Sequence, residues 1–133
     1  MIAALVALTM ALGVSSASEP IVACFSDDGT QGQFSVWIYE GHTDWQIAQD
    51  DPHGTLMFGF RPGKKKLRTA QLDYCRYLVD PATRETSDCD SGSLEILEFF
   101  PPERISLRYS FTLENGTQKA GDLRASYCPR GRK

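Results

Sequence analysis

The stretch that decides the fold covers residues 94–128, LEILEFFPPERISLRYSFTLENGTQKAGDLRASYC. Within it, residues 105–113 alternate strictly between apolar and polar side chains, which is the period of a strand with one buried face. Asn115-Gly116 follows at once and favours a hairpin, because this dipeptide tolerates positive φ at both central positions of a type I′ turn. Pro101-Pro102 ends the preceding apolar run, since proline donates no ladder hydrogen bond. Residues 94–128 therefore predict three successive antiparallel strands.

The rest of the chain has the composition of short strands separated by turns. Apolar and β-branched runs at residues 20–25, 33–39 and 55–61 are bounded by clusters of Gly, Asp, Pro and Ser. Residues 64–79 fit both a helical stripe and a strand, and we favour a strand from about Thr69 onward. No internal repeat or linker is visible. We expect an all-β fold of about eight short antiparallel strands in a disulfide-bridged sandwich or small barrel.

The first 17 residues, MIAALVALTMALGVSSA, carry no charged side chain and end in small residues that suit cleavage. This pattern predicts a secretory signal peptide over residues 1–17, followed by a single domain over residues 18–133. The apolar run is shorter than the roughly 20 residues that span a bilayer, so no transmembrane segment is expected after cleavage. The protein is accordingly expected to be exported, to a periplasm or to the secreted space.

Four cysteines remain in the expected mature chain, namely Cys24, Cys75, Cys89 and Cys128. An even number of cysteines behind an export signal favours disulfides. Among the possible connectivities we favour Cys24 with Cys128, which ties the opening strand to the last one. The second bridge is then Cys75 with Cys89, which closes a polar excursion of the chain. No C-x2-C pair occurs, so a zinc site is not expected.

The charge balance bears on the class of partner. Fourteen Lys and Arg residues against 17 Asp and Glu give a formal net charge of −3. A mildly acidic, exported domain has no overall attraction to nucleic acid, so nucleic acid is not an expected partner.

Aromatic and imidazole side chains gather around one predicted hairpin, close to Asp44, Asp50 and Asp51. They are Trp37, Tyr39, His42, Trp45 and His53. Such a group suits a sugar-stacking or ligand-gripping surface, or a His/Asp metal site. We favour a packed β-surface with two polar turns, because aromatic side chains are the usual contents of small cores. A metal is not expected, since the only two histidines lie in separate turns.

Five cations lie within eight residues of one predicted turn: Arg61, Lys64, Lys65, Lys66 and Arg68. A partner with phosphate or carboxylate groups, such as an anionic envelope lipid or a polysaccharide, would suit this patch. The alternative is a solvated turn whose lysines protect a strand edge from pairing with another chain.

No catalytic motif of the G-x-S-x-G, H-E-x-x-H or Walker type occurs, and the sequence indicates no catalytic residue and no cofactor. Two hypotheses follow. The first is a non-catalytic binding or interaction module of the cell envelope or secreted space, with an unknown protein or an anionic partner. The second is a small hydrolase or ligand-carrying β-barrel that uses the aromatic region around His42 and His53.

Residues 92–128 also carry an ordered set of motifs: G-x-L-x-I-x-E-F, a proline turn, R-I-S-x-x-Y-x-F-x-L, N-G, and G-x-L-x-A-x-Y-C. This order resembles the C-terminal half of small exported bacterial β-domains that end in a strand of the form G-x-F-x-A-x-x-C. The resemblance covers 37 of the 133 residues. It implies a β fold and export, and it assigns no catalytic residue.

Overall fold

The computed structural model describes residues 20–27, 32–49, 54–80 and 82–128. Most of these residues lie in eight strands. The strands are β1 (Ile21–Asp27), β2 (Phe34–Glu40), β3 (Thr55–Phe60), β4 (Lys66–Arg68), β5 (Tyr74–Asp80), β6 (Glu85–Phe100), β7 (Arg104–Leu113) and β8 (Gln118–Tyr127). A one-turn helix, α1 (Trp45–Ala48), follows β2, and a 3-10 turn, Thr69–Gln71, precedes β5.

Seven of the strands close into a barrel in the order β6-β5-β3-β2-β1-β8-β7, and β7 returns to pair with β6. β4 is an additional strand on the outer edge of β6. The expected all-β small barrel is therefore confirmed. The expectation that every pairing is antiparallel is wrong at one place, because β1 and β8 are parallel, with Cys24 opposite Ser126. The reason is parity, since strand directions cannot alternate all the way around a closed ring of seven.

The three strands predicted from residues 94–128 are present as the end of β6, β7 and β8. The hairpin at Asn115-Gly116 is confirmed, but its type differs from the expected type I′ turn. Only Gly116 has a positive φ, 93°, and Leu113 pairs with Thr117 across a three-residue loop. The Asn115 side chain accepts a hydrogen bond from the Thr117 amide at 2.9 Å, which forms an Asx-type turn. The result is the three-residue hairpin in which a left-handed glycine closes the loop.

The ambiguous segment 64–79 divides into three parts. Its last part is β5, so the predicted strand is confirmed from Tyr74 onward. At Thr69–Gln71 the prediction of a strand is wrong, because the chain there leaves the edge of β6 and crosses to β3. The Gln71 side chain stabilises this crossing by accepting a hydrogen bond from the Arg68 amide at 2.8 Å.

The barrel interior is filled by inward-facing side chains. In β7 the alternation predicted from the sequence places every second residue inside, and these residues are 5 % exposed or less. Large fully buried side chains meet them from the other strands, among them Phe25, Phe58 and Phe60. Burial of these apolar surfaces is the main stabilising contribution in such a fold.

Both predicted disulfides are confirmed. Cys24 and Cys128 are linked on the outer side of the parallel β1–β8 seam, with their Cα atoms 5.5 Å apart. Cys75 and Cys89 are linked where β6 ends its pairing with β5 and continues along β7, with a Cα separation of 5.4 Å. One bridge therefore lies at a seam with two register pairs, and the other lies where β6 changes its pairing partner.

The expected signal peptide, residues 1–17, lies outside the described residues. Among the residues that are described, no helix has the length and apolar character needed to cross a membrane.

Candidate functional site

One end of the barrel is rich in phenylalanine. The registers of β1, β2, β3, β6 and β8 place Phe34, Phe60, Phe99 and Tyr127 at this end. The ring centroids of Phe34 and Phe99 are 5.1 Å apart, and those of Phe34 and Phe60 are 6.0 Å apart. We refer to this part of the molecule as the phenylalanine end.

A pocket of about 280 Å³ opens at the phenylalanine end, under the loop that joins β3 to β4. Its lining is mostly apolar, and we call it the lysine pocket because two lysines border it. The lining residues are Phe60, Pro62, Gly63, Lys64, Lys65, Ile96, Leu97, Glu98 and Phe99.

The pocket exists because β3 and β6 separate at this end. β5 pairs with β3 only as far as Gly59, opposite Tyr74, and with β6 only as far as Asp88. Beyond these points, β6 pairs with β4, and the Ile96 amide donates a hydrogen bond of 2.7 Å to the Lys65 carbonyl. The barrel wall therefore has a gap between strands at this place, and the gap is covered by the β3–β4 loop and not by a strand.

The lysines at this pocket are not neutralised by the carboxylates that the structure describes. Lys64, Lys65 and Lys66 are exposed, and none of them makes an ion pair within the described part of the chain. The pocket also contains one carboxylate, Glu98, which has partners of its own. Its Oε1 atom accepts hydrogen bonds from Ser106 Oγ at 2.9 Å and from Arg104 Nε at 3.2 Å.

Both hydrogen bonds lower the pKa of Glu98 below its ordinary value, and the one from Ser106 makes the larger contribution. Glu98 is therefore ionised at neutral pH, and the Arg104 guanidinium balances its charge. The two lysines leave the pocket with a net cationic character.

Large apolar side chains are exposed around the same end of the barrel. Leu97 is 40 % exposed, Phe100 51 % and Tyr127 40 %. The Arg104 guanidinium carbon lies 4.9 Å from the centroid of the Phe100 ring, which places a cation directly beside this apolar surface. Exposed apolar side chains grouped at one place on a small protein are typical of an interaction surface.

A second recess, of about 330 Å³, lies on the other side of Phe34. It is lined by Phe25, Asp27, Phe34, Pro101, Pro102 and Tyr127. The Asp27 carboxylate borders this recess, whereas the ammonium groups of two lysines border the lysine pocket. The phenylalanine end thus has a cationic side and an acidic side.

The aromatic group predicted as a candidate site lies elsewhere, on the outside of the barrel. Tyr39 is buried beside the Cys24–Cys128 bridge and Ala48 of α1, while Trp37 and Trp45 pack against this cluster and are half-buried. Burial raises the pKa of Tyr39 above its ordinary value. These aromatic side chains therefore cover the disulfide and attach α1 to the barrel.

The two histidines of that candidate site are not brought together by the described residues. His42 is half-buried in the turn before α1. Its companion His53, with Asp50 and Asp51, lies outside the described residues. α1 itself begins at an ordinary N-cap, in which the Asp44 carboxylate accepts a hydrogen bond from the Gln46 amide at 2.9 Å. Within the described ranges, no group of three or more His, Cys, Asp or Glu side chains could hold a metal ion.

Sequence analysis identified the lysines of the pocket but missed its apolar lining. Ile96, Leu97 and Phe99 belong to a run that was assigned only to a strand. The signal that could have pointed to them is the run Ile96-Leu97-Glu98-Phe99-Phe100, in which apolar residues occur on both faces of the strand. A β-bulge between Ile96 and Glu98 breaks the alternation there and re-aims these side chains.

Comparisons of the chain with protein-family models, with curated proteins and with solved structures found no match. The resemblance of residues 92–128 to small exported bacterial β-domains therefore stays a prediction.

Proposed function

We propose that the protein is a non-catalytic binding module of the cell envelope or secreted space, and that it docks the phenylalanine end of its barrel on an anionic lipid surface. The observation that carries this proposal is the position of Lys64, Lys65 and Lys66, which make no ion pair with any described residue, beside exposed apolar side chains of the same end. Peripheral membrane attachment depends on this combination, since buried apolar area and attraction to anionic lipids add to each other.

The local charge at the phenylalanine end supports the proposal, although the overall charge of the protein does not. The formal net charge is −3, which by itself disfavours an anionic surface. At physiological ionic strength, however, charges interact only over a Debye length of about 8 Å. The lysines therefore determine the interaction at this end, while Asp27 lies on its opposite side, in the second recess.

Export is supported by two features. The disulfides Cys24–Cys128 and Cys75–Cys89 are typical of oxidising compartments, and residues 1–17 have the pattern of a signal peptide. Intact-mass analysis of exported material tests this part of the proposal. We expect a chain that begins at Ser18 or nearby and four thiols that do not react with an alkylating reagent without reductant. A chain that retains Met1, or four reactive thiols, would contradict it.

The alternative function, a hydrolase or ligand-carrying barrel that uses His42 and His53, has less support. A ligand-carrying barrel needs an open interior, whereas Phe58, Phe111 and their neighbours occupy the interior here. The aromatic side chains near His42 are engaged with the disulfide.

Sedimentation with lipid vesicles tests the docking. The test variant changes Lys64, Lys65 and Lys66 to Gln, and the control changes Arg76 and Arg84, which are exposed and lie away from the pocket, to Gln. At low salt we expect the lysine variant to bind phosphatidylglycerol-containing vesicles at least roughly tenfold more weakly than wild type, since each lysine near an anionic surface contributes about 1 kcal/mol. The dependence of binding on salt should also fall.

The control variant should bind nearly as wild type does, and vesicles of pure phosphatidylcholine should bind neither protein strongly. The melting temperature of the lysine variant should hardly change, because surface substitutions away from caps and cores have small effects. Equal losses in the two variants would overturn the proposal. Lysine-dependent binding to an anionic polysaccharide, without binding to vesicles, would overturn the lipid surface as the partner and indicate a polysaccharide of the envelope in its place.

A further inference from the structure

We infer that the lysine pocket is a binding site for a single acyl chain that carries an anionic head group. This inference rests on the proposed docking at the same end of the barrel and names the ligand that the site would hold. It depends on three properties of the pocket, namely its size and lining, its position in the wall, and its charge.

The size and the lining suit one flexible apolar chain. Pockets for small molecules usually measure about 300–1,000 Å³, and at about 280 Å³ the lysine pocket is slightly smaller than this range. Its walls include the rings of Phe60 and Phe99 and the aliphatic side chains of Ile96 and Leu97. Such walls offer an acyl chain dispersion contacts and removal from water, and a two-chain lipid would not fit inside.

The position in the wall gives the chain a way in. Among the described residues, no strand bridges β3 and β6 between Phe60 and Phe99, because β5 leaves β3 at Gly59. A ligand can therefore enter sideways under the β3–β4 loop without breaking a strand pairing. Phe60 is fully buried beneath this opening and would form the floor against which the chain ends.

The charge of the lysine pocket determines which kind of head group it would bind. Lys64 and Lys65 line the pocket from the loop, and both are exposed to water, so an anionic head can remain hydrated while it contacts them. Glu98 is the one acidic group among the described lining residues, and it would repel an anion if its charge were not balanced. Arg104 and Ser106 bind its Oε1 atom, and Arg124 Nη2 lies 3.9 Å from that atom. A carboxylate or a phosphate head is compatible with this arrangement.

Calorimetric titration with a series of alkanoates from octanoate to tetradecanoate, each below its micellar concentration, tests the chain-binding property. We expect the Kd to fall about fourfold for each added methylene, the usual gain for burying one such group. The Kd should then level off when the pocket is full. Dodecanoate and dodecyl phosphate are titrated in parallel, and binding of either one supports the inference and indicates the preferred head.

Two variants separate the head from the chain. Lys64→Gln/Lys65→Gln should weaken decanoate binding about tenfold and leave the binding of its neutral analogue decanol unaffected. Leu97→Ala should weaken both ligands about three- to tenfold, because it removes apolar wall from a half-exposed position at little expected cost to the fold. The control Arg76→Gln/Arg84→Gln changes the net charge equally and should leave both affinities unchanged.

The outcomes distinguish this inference from the proposed docking. Lysine-dependent binding to anionic vesicles, without measurable binding of any alkanoate or of dodecyl phosphate, would overturn the acyl-chain site and leave the docking intact. Saturable binding of dodecanoate without binding to vesicles would support the site and overturn the docking. An affinity that keeps rising up to tetradecanoate without levelling off would also overturn the site. So would an affinity that is unchanged in both variants.

Discussion

The ammonium group of Lys119 lies 2.9 Å from the carboxylate of Glu40 at the end of the barrel opposite the lysine pocket. Both side chains are about four-fifths buried. The Tyr77 hydroxyl donates a hydrogen bond of 2.7 Å to Glu40 Oε1, and the ammonium group lies 4.2 Å from the centroid of the Tyr77 ring. The two ends of the barrel therefore differ, since Lys64, Lys65 and Lys66 make no ion pair with the residues that the structure describes, whereas Lys119 has the Glu40 carboxylate and the Tyr77 ring as partners.

We expect Lys119→Met to lower the free energy of unfolding by about 2 kcal/mol, because it leaves the mostly buried Glu40 carboxylate without its counter-ion. The double variant Glu40→Gln/Lys119→Met removes both charges, and Gln can still accept the hydrogen bond from Tyr77. It should recover most of the loss. Urea denaturation at neutral pH measures both variants, and a single variant as stable as the wild type would contradict the importance of the pair.

Tyr109 should make stability fall at alkaline pH. Burial, with a contribution from the Glu40 charge, raises its pKa to about 12 in the folded protein, against 10.0 for the free side chain. When the pH lies between these two pKa values, the unfolded chain loses the Tyr109 proton while the folded chain keeps it, so ionisation favours unfolding. From pH 9 to pH 11 the wild type should lose about 1.4 kcal/mol more than Tyr109→Phe, which corresponds to one pKa unit. Parallel losses in the two proteins would contradict this assignment.

The parts of the fold that sequence analysis predicted are those set by local patterns. The alternation along β7 follows from the side-chain period of a strand, and the turn residues on either side give its ends. The disulfide pairing was also predictable, because it needs only that the first and last strands be neighbours.

The parts that sequence analysis missed depend on closure of the ring. The parallel seam between β1 and β8 follows from the number of strands in the barrel, which no local pattern states. Lys65 and Ile96 are hydrogen-bonded neighbours in the pocket, although 31 residues separate them along the chain. Glu40 and Lys119 meet across 79 residues. Such contacts become predictable only when the order of strands is known.

Gly92 should tolerate no side chain. Its φ is 127°, in the region that favours glycine, and a Cβ there would overlap the Ser110 carbonyl oxygen and the Phe111 backbone of β7. Gly63 offers a matched control, because its φ is 135° and a Cβ would meet nothing within 4 Å. We expect Gly92→Ala to lower the free energy of unfolding by at least about 2 kcal/mol more than Gly63→Ala does, since only the first substitution adds a clash to the backbone strain. Equal effects in thermal unfolding would mean that β6 can move away from β7 without loss.

The two disulfides should differ in their contribution to stability, with Cys24–Cys128 the more important. By the chain-entropy model a bridge across 104 residues restricts the unfolded chain more than one across 14 residues, by about 4.7 against 3 kcal/mol. The position of the bridge acts in the same direction. The β1–β8 seam has only two register pairs, supplemented by a hydrogen bond of 2.8 Å from the Cys128 amide to the Phe25 carbonyl.

Replacing both members of each bridge by Ala tests this difference. The Cys24/Cys128 variant should lose the larger free energy of unfolding in urea, and amide hydrogen exchange should rise first along β1 and β8. The Cys75/Cys89 variant should keep protection at the seam, because β5 and β6 remain held by their own ladder and by β3 and β7 on either side. If the Cys75/Cys89 variant were the less stable of the two, the junction where β6 changes partners, rather than the parallel seam, would be the weak point of the barrel.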